Sequence, residues 1–188
     1  MRSAPRAFDI RSTGRYGVGA YAARDIKQGT IIHVLSGITV SGAESVRRIK
    51  SDEEQIDDPL QVGVRTYLDL DEISRSINHS CNPNAGMRRR SELFALRDIT
   101  RGEQITYDYS TTIAPTVWFM KCRCGAPSCR RIIGDIRSIP RARLLRYKQA
   151  GALQRYMIKI IGKPGWRRRL PPYEQRLLIA LGPDKYRK

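Results

Sequence analysis

The chain has 188 residues, 40% of them hydrophobic, enough to bury a core in one domain carrying an appendage. No apolar run approaches the roughly 20 residues that cross a bilayer. The polar start, Met1-Arg2-Ser3, opens no apolar secretory stretch, so an intracellular protein without membrane contacts is expected. The net charge of +17 is unevenly placed: residues 137–188 hold 15 Lys/Arg against 2 Asp/Glu, a balance of +13. Such a segment suits an acidic partner such as nucleic acid, or equally a solvated helix face.

The first 110 residues read as short strands between turns. Segments rich in Val, Ile, Thr and Tyr predict strands at 19–23, 30–34, 37–40, 66–70, 85–88, 93–96 and 104–107. A short helix is expected at 43–50, then an acidic loop, 52–58, closed by Pro59. After Gly134 the pattern changes. Residues 141–161 have the length and apolar spacing of one amphipathic helix running through Gly151, with Leu144, Leu145, Met157, Ile160 and Ile161 available for burial. Gly162 to Gly165 breaks it, and a second helical pattern fills 173–181. A weak repeat relates Arg24-Asp25-Ile26-Lys27-Gln28-Gly29 to Arg97-Asp98-Ile99-Thr100-Arg101-Gly102, 73 positions later. Each copy reads as a strand end and a glycine turn, which predicts two similar corners.

Four cysteines are present: Cys81, Cys122, Cys124 and Cys129. Secreted, they would allow two disulfides in three connectivities. Without a secretory signal a metal site is the better reading, beside independent buried or reactive thiols. Three of them crowd into Cys122-Arg-Cys124-Gly-Ala-Pro-Ser-Cys129, where Gly125 and Pro127 favour a turn that gathers thiolates. Four thiolates satisfy a tetrahedral zinc and leave no open position for catalysis.

Three further segments carry chemistry. Gly17 and Gly19, in Tyr16-Gly17-Val18-Gly19, let a backbone approach a ligand closely, and Tyr16 offers a ring; the context is not that of a dinucleotide fingerprint. In Asn78-His79-Ser80-Cys81-Asn82-Pro83-Asn84 the histidine has no nucleophile elbow beside it. In Glu103-Gln-Ile-Thr-Tyr107-Asp108-Tyr109 the tyrosines stand two apart, so a strand turns both to one face, where they line a cavity or a half-buried sheet.

Together these segments resemble the SET domain with its post-SET extension. Gly17-Val18-Gly19 matches the family's Gly-x-Gly element, Asn78 to Asn84 its Asn-His-Ser-Cys-x-Pro-Asn motif, and Glu103 to Tyr109 its Glu-to-Asp-Tyr strand. Cys122, Cys124 and Cys129 match the Cys-x-Cys-x4-Cys pattern. The resemblance covers residues 7–134. It implies an α+β, mostly β fold of small sheets with a pseudoknot: a SET domain over 7–110, a post-SET zinc segment over 111–134 and a basic, largely helical C-terminal extension over 135–188.

The implied activity is protein-lysine N-methylation from S-adenosylmethionine, on a histone, histone-like or ribosomal substrate. Tyr109 becomes the catalytic tyrosine, and Tyr107 the pocket residue that favours monomethylation. Tyr16, Gly17, Val18, Gly19, Asn78 and His79 become cofactor contacts. Cys81 becomes the fourth ligand of a structural zinc shared with Cys122, Cys124 and Cys129. Two departures stand out: Leu35 occupies a position where the family often has tyrosine, and Arg131 follows Arg130 where it often has glycine. A catalytically silent zinc module that binds nucleic acid through residues 137–188 is the competing expectation.

Overall fold

The computed structural model describes residues 6–14, 17–50, 59–116 and 118–167. Tyr16, the acidic loop 52–58 and the helical pattern 173–181 lie outside the described residues. In chain order the elements are β1 (Phe8–Ser12), β2 (Val18–Ala22), β3 (Ile31–Val34), β4 (Gly37–Ser41), α1 (Gly42–Lys50), β5 (Pro59–Gln61), β6 (Thr66–Leu70), α2 (Glu72–Arg75) and β7 (Asn78–His79). There follow β8 (Ala85–Arg88), β9 (Glu92–Ala95), β10 (Thr106–Tyr107), β11 (Phe119–Lys121), β12 (Ile132–Gly134), α3 (Arg141–Gln149) and α4 (Arg155–Ile161). The strands form five sheets of two or three strands: β1-β2, β7-β10, β11-β12, β3-β9-β8 and β4-β6-β5.

Every predicted strand is present within a few residues. β1, β5, β7, β11 and β12 were not expected: each is five residues or shorter, and three of them pair across long stretches of sequence or beside the cysteines. β7 and β10 run parallel, with Asn78 beside Thr106 and His79 beside Tyr107. Ala20 of β2 donates its amide to Ser76 (3.0 Å) and its carbonyl accepts from Ile105 (2.8 Å), so segments 76–84 and 104–109 cross beside β2. This is the knot-like crossing of the fold. Ala20 and Ala22 have no exposed surface, and only so small a side chain lets three backbones lie this close.

The sequence repeat is a structural pair. The amide and carbonyl of Ile26 and Ile99 bond reciprocally (2.8 and 2.9 Å). Arg101 donates its amide to the Asp25 carboxylate (2.8 Å), as Gln28 does to Asp98 (2.9 Å). Gly29 and Gly102 both take φ near +83°, at 83° and 84°, where a side chain would be strained. The two corners therefore face each other across a local two-fold and clamp the ends of β2 and β9: Gly102 donates to Ala22 (2.7 Å) and Gly29 to Ala95 (2.8 Å).

Two apolar cores flank this knot. One gathers Phe8, Leu35, Leu68, Ile77, Met87, Leu93, Ile105 and Tyr107, with Tyr109 packed on it. The other joins Phe94 and Leu96 to Ile136, Ile139, Leu144, Tyr147, Leu153 and Met157. Residues beyond Gly134 are thus built into the body. The single helix expected over 141–161 is two helices: α3 ends at Ala150, Gly151 takes φ +69°, and Gln154 starts α4. The break turns the chain so that both helices face one core, which a straight helix of this pattern could not do. It also leaves Leu145 54% exposed, against expectation.

Candidate active site and cysteine cluster

At the first glycine segment, Gly17 takes φ +79°, and its carbonyl accepts from the Thr13 amide (2.8 Å) to close a tight turn. The Val18 carbonyl accepts from the side-chain amide of Asn78 (2.8 Å), which ties this turn to the knot. A side chain at Gly19 would displace its neighbours: a Cβ there would lie 2.4 Å from Gln104 Nε2, 2.9 Å from Thr13 Cγ2 and 3.1 Å from Asn78 Nδ2. Gly17, Val18, Gly19, Asn78 and His79 are therefore brought together; Tyr16 lies outside the described residues.

Tyr107 and Tyr109 meet with ring centroids 4.9 Å apart. The Tyr109 hydroxyl donates to the Ile77 carbonyl (2.9 Å), and its ring stands edge-on to His79 at 5.4 Å. Tyr107 is buried, which raises its hydroxyl pKa and keeps it protonated. Both rings line a cavity of about 120 Å³ with Pro59, Leu60, Ile77 and Asn78. That is below the roughly 300–1,000 Å³ of a pocket for a whole ligand, and is the size of a side-chain tip. Leu35 is fully packed in the core that holds Tyr107.

The four cysteines carry free thiols, drawn together by the β11–β12 hairpin and by β7. Cys81 Sγ lies 3.8 Å from Cys122 Sγ, and Cys129 Sγ lies 3.6 Å from Cys122 Sγ. Thiolates sharing one tetrahedral metal at about 2.3 Å stand about 3.8 Å apart, so these separations fit one. Burial pushes the Cys122 thiol up. Burial also raises Cys124, but the amides of Cys81 and Ala126 and the neighbouring thiols outweigh it, bringing Cys124 down to about 7.

His79 competes geometrically for the fourth place, since ligand atoms of His79, Cys81, Cys122 and Cys124 all lie within 4.8 Å of one another. Its hydrogen bonds decide against it. Nδ1 accepts from the Tyr109 amide (3.2 Å), and burial with Arg130 and Arg143 nearby lowers its pKa to about 3, so the ring is neutral. A neutral ring that accepts at Nδ1 carries its proton on Nε2. Nε2 points at Cys81 Sγ (3.3 Å) as a donor and has no lone pair for a metal. The imidazole is thus enclosed between the knot and the cysteines, and the main chain of His79 is what remains for a cofactor.

Sequence reasoning did not single out the polar network behind these residues. Arg130, its side chain 9% exposed, pairs with the fully buried Asp108 carboxylate. Asp108 also accepts from the Ser110 amide (3.1 Å) and the Tyr147 hydroxyl (3.2 Å), and so caps the 3₁₀ turn Tyr109–Thr111. Arg143 of α3 donates to the Cys81 carbonyl and to Ser128 (3.0 Å). Tyr156 donates to the carbonyls of Gln61 (3.1 Å) and Thr112. Tyr147 and Tyr156, aromatic residues of the basic segment, pack in or against the second core with engaged hydroxyls. The legible signal was the adjacency of Asp108 to Tyr109 and of Arg130 to Cys129; their pairing across 22 positions was not.

Small sheets, a parallel crossing between the Asn78 and Tyr107 segments, a glycine turn anchored by Asn78 and a cysteine cluster together define a knotted β-rich body. The family model described as SET domain matches residues 17–110, and the chain belongs to that family. The Plasmodium falciparum variant-silencing SET domain-containing protein is 32% identical over 145 residues, covering 68% of this chain and 6% of that protein. The Drosophila melanogaster histone-lysine N-methyltransferase trr is 36% identical over 132 residues, covering 61% of this chain and 5% of that protein. The chain thus spans about a twentieth of the length of these relatives. The methyltransferase domain of human histone-lysine N-methyltransferase SETMAR shares the fold, with a TM-score of 0.57 at 24% identity over 68% of this chain and 58% of that one. Among the described residues no helix is long and apolar enough to cross a membrane.

Proposed function

We propose that the chain is a protein-lysine N-methyltransferase that takes its methyl group from S-adenosylmethionine. The observation that carries this reading is the placement of Tyr109, which lines the cavity beside Asn78 with its hydroxyl fixed on the Ile77 carbonyl, while the Asn78 side chain holds the Val18 carbonyl of the glycine turn. Related proteins named as histone-lysine N-methyltransferases support the lysine substrate, and a histone or histone-like protein is the substrate class proposed here.

S-adenosylmethionine supplies a sulfonium methyl, whose displacement by a neutral amine leaves S-adenosylhomocysteine and one proton. The exposed backbone of Gly17 and Val18, the Asn78 side chain and the His79 main chain hold the cofactor. The narrow aromatic cavity takes the lysine tip. Free lysine has a pKa of about 10.4, and partial desolvation in this narrow cavity, which Arg75 also lines, favours the uncharged amine. The Tyr109 hydroxyl orients that amine; alignment supplies most of the rate gain. Cys81, Cys122, Cys124 and Cys129 hold one structural zinc, supported by the sulfur separations and by the engaged lone pair of His79. Incubation with isotopically labelled S-adenosylmethionine and histones, read by mass spectrometry, should show labelled methyl-lysine; its absence with every basic protein tried would sink the proposal.

We also infer mainly monomethyl product, because Tyr107 lines the cavity beside Tyr109, where its hydroxyl would restrain a methylated amine. Tyr107→Phe should move output toward di- and trimethyl-lysine by up to about tenfold, the worth of one hydrogen bond. Abundant trimethyl-lysine from the unmodified enzyme would contradict this.

A nucleic-acid contact rests on the outer face of α3 and α4. Arg141, Arg146, Lys148, Arg155, Lys159 and Lys163 are exposed, with no carboxylate partner among the described residues. Phosphate contact by this face predicts affinity that falls steeply with salt and shows little sequence preference. Lys148→Glu with Lys159→Glu should flatten the salt slope; an unchanged slope would leave these charges to solvent.

A further inference from the structure

The sulfur of Cys81 is the meeting point of two side chains whose far ends grip the turn carrying Tyr109. Cys81 has no exposed surface. Three N–H groups converge on its Sγ: the Arg130 amide (3.4 Å), Arg130 Nε (3.4 Å) and His79 Nε2 (3.3 Å). Sulfur is a weak acceptor, so three donors on one buried sulfur mark it as a fixed junction.

At its other end His79 accepts the Tyr109 amide through Nδ1 (3.2 Å). Arg130 reaches the opposite side of the same turn, pairing with Asp108, which accepts the Ser110 amide and precedes Tyr109 directly. The Tyr109 backbone is therefore held on both sides by groups that end on one sulfur. Tyr147 and Thr112 brace the same turn, through the Asp108 carboxylate (3.2 Å) and the Tyr109 carbonyl (2.9 Å), and the Ile77 carbonyl takes the Tyr109 hydroxyl (2.9 Å).

We propose that His79 and Arg130 are positioning residues that couple the Cys81 thiolate to Tyr109, so that filling of the cysteine cluster sets where the tyrosine hydroxyl stands. The proposal rests on reading Tyr109 as the transfer residue and the cluster as a metal site. It makes the cysteine cluster part of the transfer machinery as well as a staple for the chain. A displacement near 1 Å at a reacting group costs on the order of a hundredfold in rate, so a loose sulfur is felt at the methyl even though no thiol touches it.

Two conservative variants test it. His79→Asn keeps an acceptor near the Tyr109 amide but has no donor that reaches Cys81. Arg130→Lys keeps a cation for Asp108 and the backbone amide on the sulfur but removes the Nε donor. With cobalt in the cluster, both should move the thiolate-to-metal charge-transfer band to lower energy, because a sulfur that loses a donor holds its electrons less tightly. Metal release to a chelator should quicken by about tenfold, as for other groups that support a metal ligand. The rate at saturating cofactor should fall by about tenfold while the S-adenosylmethionine Kd, by calorimetry, stays within about threefold. An unmoved band and release rate would overturn the proposal even if turnover fell. A moved band with full turnover would overturn it equally.

The link is also read without turnover, through the Tyr109 amide resonance in ¹⁵N-tyrosine-labelled protein. Removing the metal should shift that resonance in the wild type and shift it much less in His79→Asn. An unshifted wild-type resonance would refute the coupling whatever the activity. A shifted resonance in a protein that transfers no methyl would uphold the coupling and sink the proposed function alone.

Discussion

The knot and the C-terminal extension hold themselves together by different means. In the knot, main chain meets main chain: β7 lies on β10, β2 bonds to Ser76 and Ile105, and the paired corners at Ile26 and Ile99 exchange amides. The side chains of Asn78, Tyr107 and Tyr109 are left to line the cavity. Beyond Gly134 an apolar core against Phe94 and Leu96 is joined by long polar side chains reaching back: Tyr147 to Asp108, Arg143 to Cys81, and Tyr156 and Gln154 to the Gln61 carbonyl. These contacts teach that a basic segment with the composition of a tail is here partly a brace: Arg137, Arg143 and Arg167 spend their guanidinium groups on Asp135, Cys81 and the carbonyls of Arg137 and Ile139.

The contrast breaks most visibly at Asp108, where the two regions meet. Asp108→Ala leaves Arg130 buried beside no carboxylate and removes the partner of Tyr147, so a loss of about 3–5 kcal/mol is expected in urea unfolding. A loss below about 1 kcal/mol would mean that the brace carries little weight. Next in size is Gly19→Ala within the knot. The added Cβ displaces Asn78 or Gln104. S-adenosylmethionine affinity should then fall by about tenfold, or 1.4 kcal/mol, with the unfolding midpoint almost unmoved. Calorimetric titration checks it, and unchanged binding would detach the glycine turn from the cofactor.

The smallest effect sharpens the comparison. Arg131 takes φ +65°, a conformation that costs a residue with a side chain about 1–2 kcal/mol. Arg131→Gly should therefore stabilise the protein by up to about 1 kcal/mol after the entropy cost of glycine, seen as a raised unfolding midpoint. A lowered midpoint would show that the arginine repays its strain through contacts of its side chain.

Local pattern made much of this legible. β-branched runs marked the seven predicted strands, and the 73-residue repeat located the two corners, though not that they face each other. The cysteine spacing and the Asn78 and Tyr107 segments marked the site residues that the fold gathers. What stayed hidden depends on distance along the chain. Gly151 fits a helix by periodicity alone, and only the need to turn both α3 and α4 onto Phe94 and Leu96 makes it a break. Tyr147 and Tyr156 look like stacking surface until the buried acceptors they serve, 39 and 95 positions away at Asp108 and Gln61, come into view. The orientation of His79 follows from one amide and one sulfur, neither recognisable as its partner in the sequence.

The central claim, that cofactor binding belongs to the glycine turn and Asn78 while transfer belongs to Tyr109, is tested most directly by Tyr109→Phe. Its S-adenosylmethionine Kd and its rate of labelled methyl transfer to histone lysine should be measured side by side. The hydroxyl bonds the Ile77 carbonyl, so Kd should stay within about threefold while the rate falls by about a hundredfold, the usual worth of one well-aimed group at a reacting centre. Transfer at the unmodified rate, with or without a change in binding, would contradict the account.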